Sequence, residues 1–474
     1  MKIEEIYDLF LQNPIITTDS RDCPVGSMFF ALKGDNFNGN KFAIAALEKG
    51  CAYAVVDEKP AALADASAHN TETAAALSKR LILVDDALTT LQQLAHLHRK
   101  HFSKPVIQIT GTNGKTTTKE LVSTVLAQKY NVLYTQGNLN NHIGVPKTLL
   151  RLTDEHDIAI IETGANHPGE IAALAEIVDP DCGLITNVGV AHIEGFGSFD
   201  GVVKTKGELY DFLRHKAAAG RGSGEIFLNA DNPHLAKIAQ GLHAITYGSP
   251  GNGYNVEGEV AECAPLLKVR WRTKNTSEFL SKNKHSSEQY NATHEVQTHL
   301  IGAYNLDNVL AAICVGLRFG VEPAQIDAAL TNYVPTNNRS ELRETAHNTL
   351  IVDAYNANPS SMVAALDNFA LAVSPHGREK MLILGEMREL GNISATEHAN
   401  IIKILQTKFM EPSSATKDNI WLVGANFQSL NPPFRTFLSV AEVKAELNSA
   451  PVRDKFILIK GSNGTRLFEL PDYL

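Results

Sequence analysis

The run Thr110-Gly-Thr-Asn-Gly-Lys-Thr-Thr-Thr118 gathers glycines, a lysine and a row of hydroxyls directly after the apolar run Val106-Ile-Gln-Ile. The apolar run predicts a strand and residues 115–128 predict a helix. At such a junction the backbone N–H groups and the positive end of the helix can cradle phosphates. A lysine adds a point charge there, and a threonine hydroxyl can reach a hard metal ion. Gly111, Thr112, Asn113, Gly114, Lys115, Thr116 and Thr117 are therefore read as a loop for the phosphates of ATP or GTP, with Thr116 on Mg²⁺. The loop departs from GxxxxGK[ST], whose first glycine would fall on Ile109. The competing reading is a glycine-rich turn with an incidental lysine, and the flanking strand and helix argue against it.

A phosphate loop works with Mg²⁺, a cation that prefers carboxylate and hydroxyl oxygens. Glu162 ends the predicted strand 157–161, so it emerges at the edge where the loop lies. On position alone it is open between a magnesium ligand and a helix-capping or solvated glutamate. The predicted strand 183–186 leads into Thr186-Asn-Val-Gly-Val-Ala-His192-Ile-Glu194, again at that edge, where His192 is open between a structural residue and a ligand.

These residues need elements to hold them. The chain has 474 residues, a prior of about three domains. Its 44% hydrophobic and 20% charged residues are ordinary for a folded protein with several cores. A net charge of −9 argues against broad capture of nucleic acid or anionic membrane. No apolar run approaches the roughly 18 to 20 residues of a membrane span, and the start, Met1-Lys-Ile-Glu-Glu-Ile-Tyr, is unlike a signal peptide, so a cytoplasmic location is expected. The five cysteines show no CxxC spacing and read as buried apolar residues.

Residues 1–103 alternate apolar runs beginning at Ser27, Ala52 and Leu81 with helix-like stretches 42–49 and 88–101, a small α/β unit. The basic run His98-Arg-Lys-His and then Pro105 mark a boundary. From 104 to 335 strands alternate with helix-length segments, which implies βαβ crossovers and a mostly parallel sheet. Within it, residues 248–300 read as short antiparallel strands, and the polar tract 273–293 as a mobile insertion. Helices are predicted at 305–319 and 323–332, and 333–338 reads as a linker. Residues 336–474 form a third α/β unit, with strands near Leu350, Met381, Trp421 and Phe456.

Gly111-Thr-Asn-Gly-Lys-Thr-Thr, Glu162-Thr-Gly-Ala-Asn, Asn187-Val-Gly-Val-Ala-His192-Ile-Glu, Lys206-Gly-Glu and Gly302-Ala-Tyr-Asn305-Leu-Asp-Asn308 together resemble the Mur ligase family of ATP-dependent amide-forming enzymes. Gly137-Asn-Leu-Asn-Asn-His-Ile-Gly-Val-Pro146, Asp353-Ala-Tyr-Asn-Ala-Asn-Pro-Ser-Ser-Met362, Leu384-Gly-Glu-Met-Arg-Glu-Leu-Gly391 and Lys460-Gly-Ser are similar to the branch that adds a dipeptide. The resemblance implies three domains: a small N-terminal α/β domain for a UDP-sugar peptide, a central P-loop ATPase, and a Rossmann-like C-terminal domain for the incoming amine. The implied reaction adds D-alanyl-D-alanine to UDP-N-acetylmuramoyl-tripeptide through an acyl phosphate. The implied enzyme is a monomer with small-molecule substrates, without nucleic acid and without membrane insertion.

By the same resemblance Lys115, His192 and Lys206 are catalytic. Thr116, Glu162, His192 and Lys206 hold two Mg²⁺ ions, Lys206 as a carbamylated lysine; from position alone it reads as a solvated helix lysine. Asn305, Asn308 and Arg339 fall on the nucleotide side, the two asparagines on one helix face. Ser20, Arg21, Asn138, Asn141, Asp353, Tyr355, Asn356, Asn358 and Ser360 fall on the side of the substrates. Asp19-Ser-Arg21 and Phe29-Phe-Ala-Leu-Lys-Gly34 resemble motifs for the UDP substrate, though Asp-Ser-Arg alone reads equally as a turn. Three positions depart from the family pattern. Tyr304 stands for a histidine, Asn338-Arg339 for Gly-Arg, and Asn463 for the arginine of Lys-Gly-Ser-Arg-Gly. The rival readings are a related ligase that adds a single amino acid or a folate-type glutamate, and a nucleotide-binding regulatory protein without ligase activity.

Overall fold

The strands Val106–Thr110, Ile158–Glu162 and Cys182–Ile185 are buried at every residue, as the near-continuous apolar runs of a covered parallel sheet require. In the computed structural model they pair in parallel, with Glu162 beside Ile109 and Ile185 beside Thr110, so the segments that follow them leave one sheet edge together. The structure describes residues 1–34, 36–60, 71–191, 193–274, 292–335, 339–410 and 415–474, without the side chains of 71–74, 415 and 416. His192 and most of the polar tract 273–293 lie outside the described residues.

Among the described residues the central sheet has nine strands. Val132–Tyr134 forms one edge, followed by Ile158–Glu162, Val106–Thr110, Cys182–Ile185, Glu225–Asn229 and His243–Gly248. The strands expected between 248 and 300 are Val256–Cys263, Leu266–Thr273 and His294–Ile301. They are antiparallel to one another but continue the parallel sheet, because Val256 and Glu257 pair with Tyr247 and Gly248. Helices Lys115–Leu126 and Leu306–Arg318 pack on one face of this sheet in a single apolar core. Both lie close to their predicted spans, and Pro323–Asn332 matches its own, with Pro at the helix start where a missing N–H is harmless.

The N-terminal sheet is parallel, in the order Ile16–Thr17, Met28–Phe30, Tyr53–Val56, Leu81–Leu83. The chain leaves it at 102–105, yet the core runs on across that point. Ile6, Phe10, Leu91 and Leu94 share one cluster with Leu149, Leu152, Ile161 and Leu174 of the central unit. The helix Ala87–His101 carries this junction, and its basic end is more than a solvated cap. Arg99 is 5% exposed, donates to the carbonyls of Val178, Asp179 and Phe102, and pairs with Asp181 at 2.9 Å. It thereby satisfies the last carbonyls of the helix Glu170–Val178.

Among the described residues the C-terminal sheet has six strands in the order Glu341–Glu344, Thr349–Asp353, Lys455–Lys460, Glu379–Gly385, Ile420–Val423, Arg435–Phe437, parallel except for the first. Helices Pro359–Leu371 and Ser394–Phe409 cover one face, and Val440–Ser449 with the C-terminal turns covers the other, the doubly wound arrangement. All five cysteines are free thiols. Among the described residues no helix is long and apolar enough to cross a membrane.

Candidate active site

A cleft of about 1060 Å³ opens where these carboxyl edges face one another. Thr112 to Thr117 form its floor. Glu162, Asn138 and Asn141 line the central wall, and Asp353, Tyr355, Asn356, Ser360 and Lys460 line the C-terminal wall. Gln92, from the junction helix, closes one end.

The phosphate loop is built by collisions that only glycine avoids. Gly111 has φ +144° and a Cβ there would strike Thr186 Oγ1; Gly114 has φ +75° and a Cβ would strike Asn308 Oδ1. Asn187 clamps the loop from the next strand end, accepting from the Asn113 N–H at 2.9 Å and donating to the Asn113 carbonyl at 3.0 Å. Gly114 caps the helix Lys115–Leu126 without a side-chain acceptor, so the first-turn N–H groups stay available to an anion. Lys115 Nζ rests on the carbonyls of Gly111 and Thr112 at 2.8 and 3.0 Å. Burial brings its pKa down to about 8 against the opposing pull of the Glu162 carboxylate, with the charge of Arg339 as a smaller push in the same direction as burial. An anionic phosphate would reverse that.

Thr116 Oγ1 donates to both oxygens of Glu162, at 2.9 and 3.1 Å, and Asn140 Nδ2 donates to the same carboxylate at 2.8 Å. This is a pair of hard oxygen donors facing the cleft, which suits an ion that keeps most of its ligands as water and phosphate oxygens. Among the described residues no group of three or more His, Cys, Asp or Glu side chains forms a cage; the oxygens present, Thr116 Oγ1 and the Glu162 carboxylate, fit Mg²⁺ held jointly with a phosphate-bearing substrate. Asn140 and Asn187 lie inside motifs that the sequence displays, yet nothing in their spacing separated them from Asn138 and Asn141. Asn141 itself holds the turn that leads into the helix Gly144–Leu149, accepting from the N–H groups of Ile143 and Gly144.

Asn305 and Asn308 do share one face. Asn308 Nδ2 donates to Asn305 Oδ1 at 2.8 Å, and Thr118 donates to Asn308 Oδ1, tying this helix start to the loop helix. Tyr304 lines the cleft and shares a hydrogen bond of 2.7 Å with Ser340. The Arg339 guanidinium stacks over the Tyr355 ring at 3.9 Å, at the lip of the phosphate side.

Lys206 corrects the reading made from position alone. It is 2% exposed on the helix Phe199–Ala218, with its Nζ over the Phe196 ring and 3.5 Å from the Ala165 carbonyl. Burial, with Lys115 adding to it, brings its pKa down to about 7. Ser20 and Arg21 are not brought to the cleft. They lie in a turn in which Asp19 accepts from the Arg21 N–H and its guanidinium, and the Arg21 side chain is 88% exposed.

Asn358 sits elsewhere than on the cleft wall. It is 5% exposed, its Oδ1 caps the helix Pro359–Leu371 by accepting from Ser361 N–H, and its Nδ2 donates to Asn113 Oδ1 at 2.7 Å. Beside it the Val190 N–H donates to Ser360 Oγ. The C-terminal unit thus touches the phosphate loop directly. Asn358→Asp retains the cap but loses the donor. We expect it to unfold at the wild-type temperature and turn over about tenfold more slowly, whereas Asn358→Ala should lose stability as well, by about 1 kcal/mol. Thermal melts beside steady-state kinetics decide this, and unchanged turnover in Asn358→Asp would reduce the residue to a cap.

Three family models cover the chain: the Mur ligase family, catalytic domain over 14–99, the Mur ligase middle domain over 109–316, and the Mur ligase, glutamate ligase domain over 338–463. The chain belongs to the Mur ligase family. It is 34% identical over 81% of its length to the UDP-N-acetylmuramoyl-tripeptide--D-alanyl-D-alanine ligase of Bacillus subtilis, of which it covers 75%. It is 35% identical, again over 81%, to the enzyme of that name from Escherichia coli, of which it covers 77%. Among solved structures it is similar to MurF from Acinetobacter baumannii, with TM-score 0.77, 27% identity, and 96% and 92% of the two chains covered. Of the three departures, Tyr304 keeps a polar group on the cleft wall and Asn338 lies outside the described residues, while Arg339 beside it, which matches the family arginine, lines the cleft.

Proposed function

We propose that this chain is an ATP-dependent ligase that joins D-alanyl-D-alanine to UDP-N-acetylmuramoyl-tripeptide through an acyl phosphate, giving the pentapeptide precursor of peptidoglycan. One observation carries the reading. A single cleft gathers Lys115 and the Thr116–Glu162 pair on one side and Asp353, Tyr355, Asn356, Ser360 and Lys460 on the other, so phosphoryl transfer and amine delivery face each other. Residues 1–103 would hold the UDP-sugar peptide, 104–335 the ATP, and 336–474 the dipeptide.

The chemistry follows from what these groups can do. A carboxylate is a poor electrophile, so it must first accept a phosphoryl group. Lys115 would spread the charge that grows on the transferring phosphoryl group, with the loop N–H groups fixing its position. Magnesium, when bound, screens the phosphate oxygens; Thr116 and Glu162 would hold one ion, and His192 with Lys206 the other. Asn305 and Asn308 would fix the loop helix against the nucleotide. The amine then attacks the acyl carbon and phosphate leaves. The Asn358–Asn113 contact would keep the C-terminal unit closed over the reacting atoms and exclude water, which would otherwise hydrolyse the acyl phosphate.

The test is phosphate release with ATP, the UDP-tripeptide and a panel of amines. Release should need all three substrates, and D-alanyl-D-alanine should exceed D-alanine in kcat/KM by about 100-fold or more, because a site with groups for the second residue and its carboxylate leaves them unpaired with the smaller amine. Comparable use of single amino acids would move the chain to another Mur-type or folylpolyglutamate-type ligase. Nucleotide binding without turnover would support a regulatory protein.

A further inference from the structure

Beside the cleft, two adjacent strands of the C-terminal sheet end in loops that part from each other. The adjacent strands Lys455–Lys460 and Glu379–Gly385 end at Gly461 and Gly385, which lie so close that a Cβ on Gly461 would be 3.0 Å from the Gly385 Cα. From there the chain diverges. Residues after Gly385 lead to the helix Ser394–Phe409 on one face, and residues after Lys460 lead to the turns around Leu467 and Leu470 on the other. Open parallel sheets take ligands in the crevice that such divergence leaves at their carboxyl edge.

Arg388 bridges the two strand-end loops. Its N–H donates to Ser462 Oγ at 3.1 Å and its guanidinium donates to the Gly464 carbonyl at 3.2 Å, packed so closely that any side chain at 464 would collide with it. Its ion pair is loose, 3.8 Å to Glu386, whose other oxygen is engaged by Asn426. The side chain remains 54% exposed. The neighbouring cations are committed. Lys460 is 2% exposed and pairs with Asp353 at 2.5 Å, and Arg466 pairs with Glu469. The next residue, Glu389, has φ +62° and lines the catalytic cleft. A dipeptide lying along this loop would therefore have its carboxylate at Arg388 and its amine toward the phosphate loop.

The geometry points to Arg388 as the residue that binds the terminal carboxylate of the incoming dipeptide. A guanidinium fork matches a carboxylate in shape and charge. This inference rests on the dipeptide-ligase reading above.

The experiment compares D-alanyl-D-alanine with its C-terminal carboxamide, which keeps the amine and both side chains and removes the charge. The wild-type chain should use the acid about 100-fold better in kcat/KM. Arg388→Gln should erase that preference by raising KM for the acid, leaving KM for ATP and the rate with the carboxamide as they were. Arg388→Lys should fall between the two. Equal losses with acid and carboxamide in Arg388→Gln would make Arg388 a brace of its loop and overturn the assignment. Equal use of the two amines by the wild type overturns it without any variant, should Arg388→Gln not fold. Failure of the wild type to use the dipeptide in either form, while another amine supports phosphate release, would overturn the dipeptide-ligase reading as well.

Discussion

Lys115→Ala is expected to lower turnover by at least about 10³-fold while the protein folds as before. The loss is large because phosphoryl transfer depends chiefly on positioning and on charge placed where it develops. Lys115 is the cation at the start of the loop helix, on the cleft floor. The fold should survive because the loop is held by other groups: Asn187 on the Asn113 backbone, Thr186 Oγ1 on the Asn113 carbonyl, and Thr112 against Gly189. Removing the lysine also removes a partly buried ammonium whose charged form desolvation disfavours. Phosphate-release kinetics beside a thermal melt make the check. A variant that melts like the wild type and still turns over would remove the phosphate-loop assignment.

The second large effect is expected at Lys206. A helix lysine 2% exposed, over a phenylalanine ring and with the Ala165 carbonyl 3.5 Å away, gains little from its ammonium form. With its pKa brought down to about 7, much of the side chain is neutral amine at pH 7 to 8. A neutral amine adds to carbon dioxide and, on losing a proton, becomes a carbamate, whose oxygens would serve a second magnesium ion. We expect Lys206→Ala to lose about 10³-fold in turnover and to recover part of it with added formate or acetate. Depleting carbon dioxide should lower wild-type activity reversibly. The sign of the pH effect follows from the depressed pKa. Above about 7 the amine is free and the carbamate forms; as pH falls through 7 the amine takes up a proton and bicarbonate no longer restores activity. Labelled bicarbonate should give a carbamate resonance in the wild type that Lys206→Ala lacks. Full activity in carbon-dioxide-free buffer, with no such resonance, would make Lys206 a cation in its own right.

What could be read along the chain was what chemistry writes into a short contiguous stretch. The phosphate loop was legible because a strand, a turn needing positive φ at Gly111 and Gly114, and a helix opening at Lys115 follow one another directly. The parallel sheet was legible for a similar reason, since strands covered on both faces read as unbroken apolar runs. Glu162 was legible as a strand-end carboxylate, and Asn305 with Asn308 as a pair on one face, because a strand's end and a helix's period are local properties.

Tertiary structure alone decided the rest. Lys204 and Lys206 stand two apart on one helix, yet Lys204 is exposed and Lys206 buried, because one face of the helix packs against Phe196 and Ile171 of the helix Glu170–Val178 while the other meets water. The core running through Ile6, Leu94 and Leu174 crosses the point where the chain changes sheets, and no local pattern records which helices will share a core. Asp19 holds Asp19-Ser-Arg21 in a turn outside the cleft, a placement that the three letters do not record. Asn113 and Asn358 meet although a whole unit separates them in sequence. That meeting, like the bridge from Arg388 to Gly464, is set by how crossovers stack strand ends and by how two sheets face each other. Spacing along a chain carries neither quantity, since hydrophobic period and turn propensity act over a few residues and these contacts are made across the whole fold.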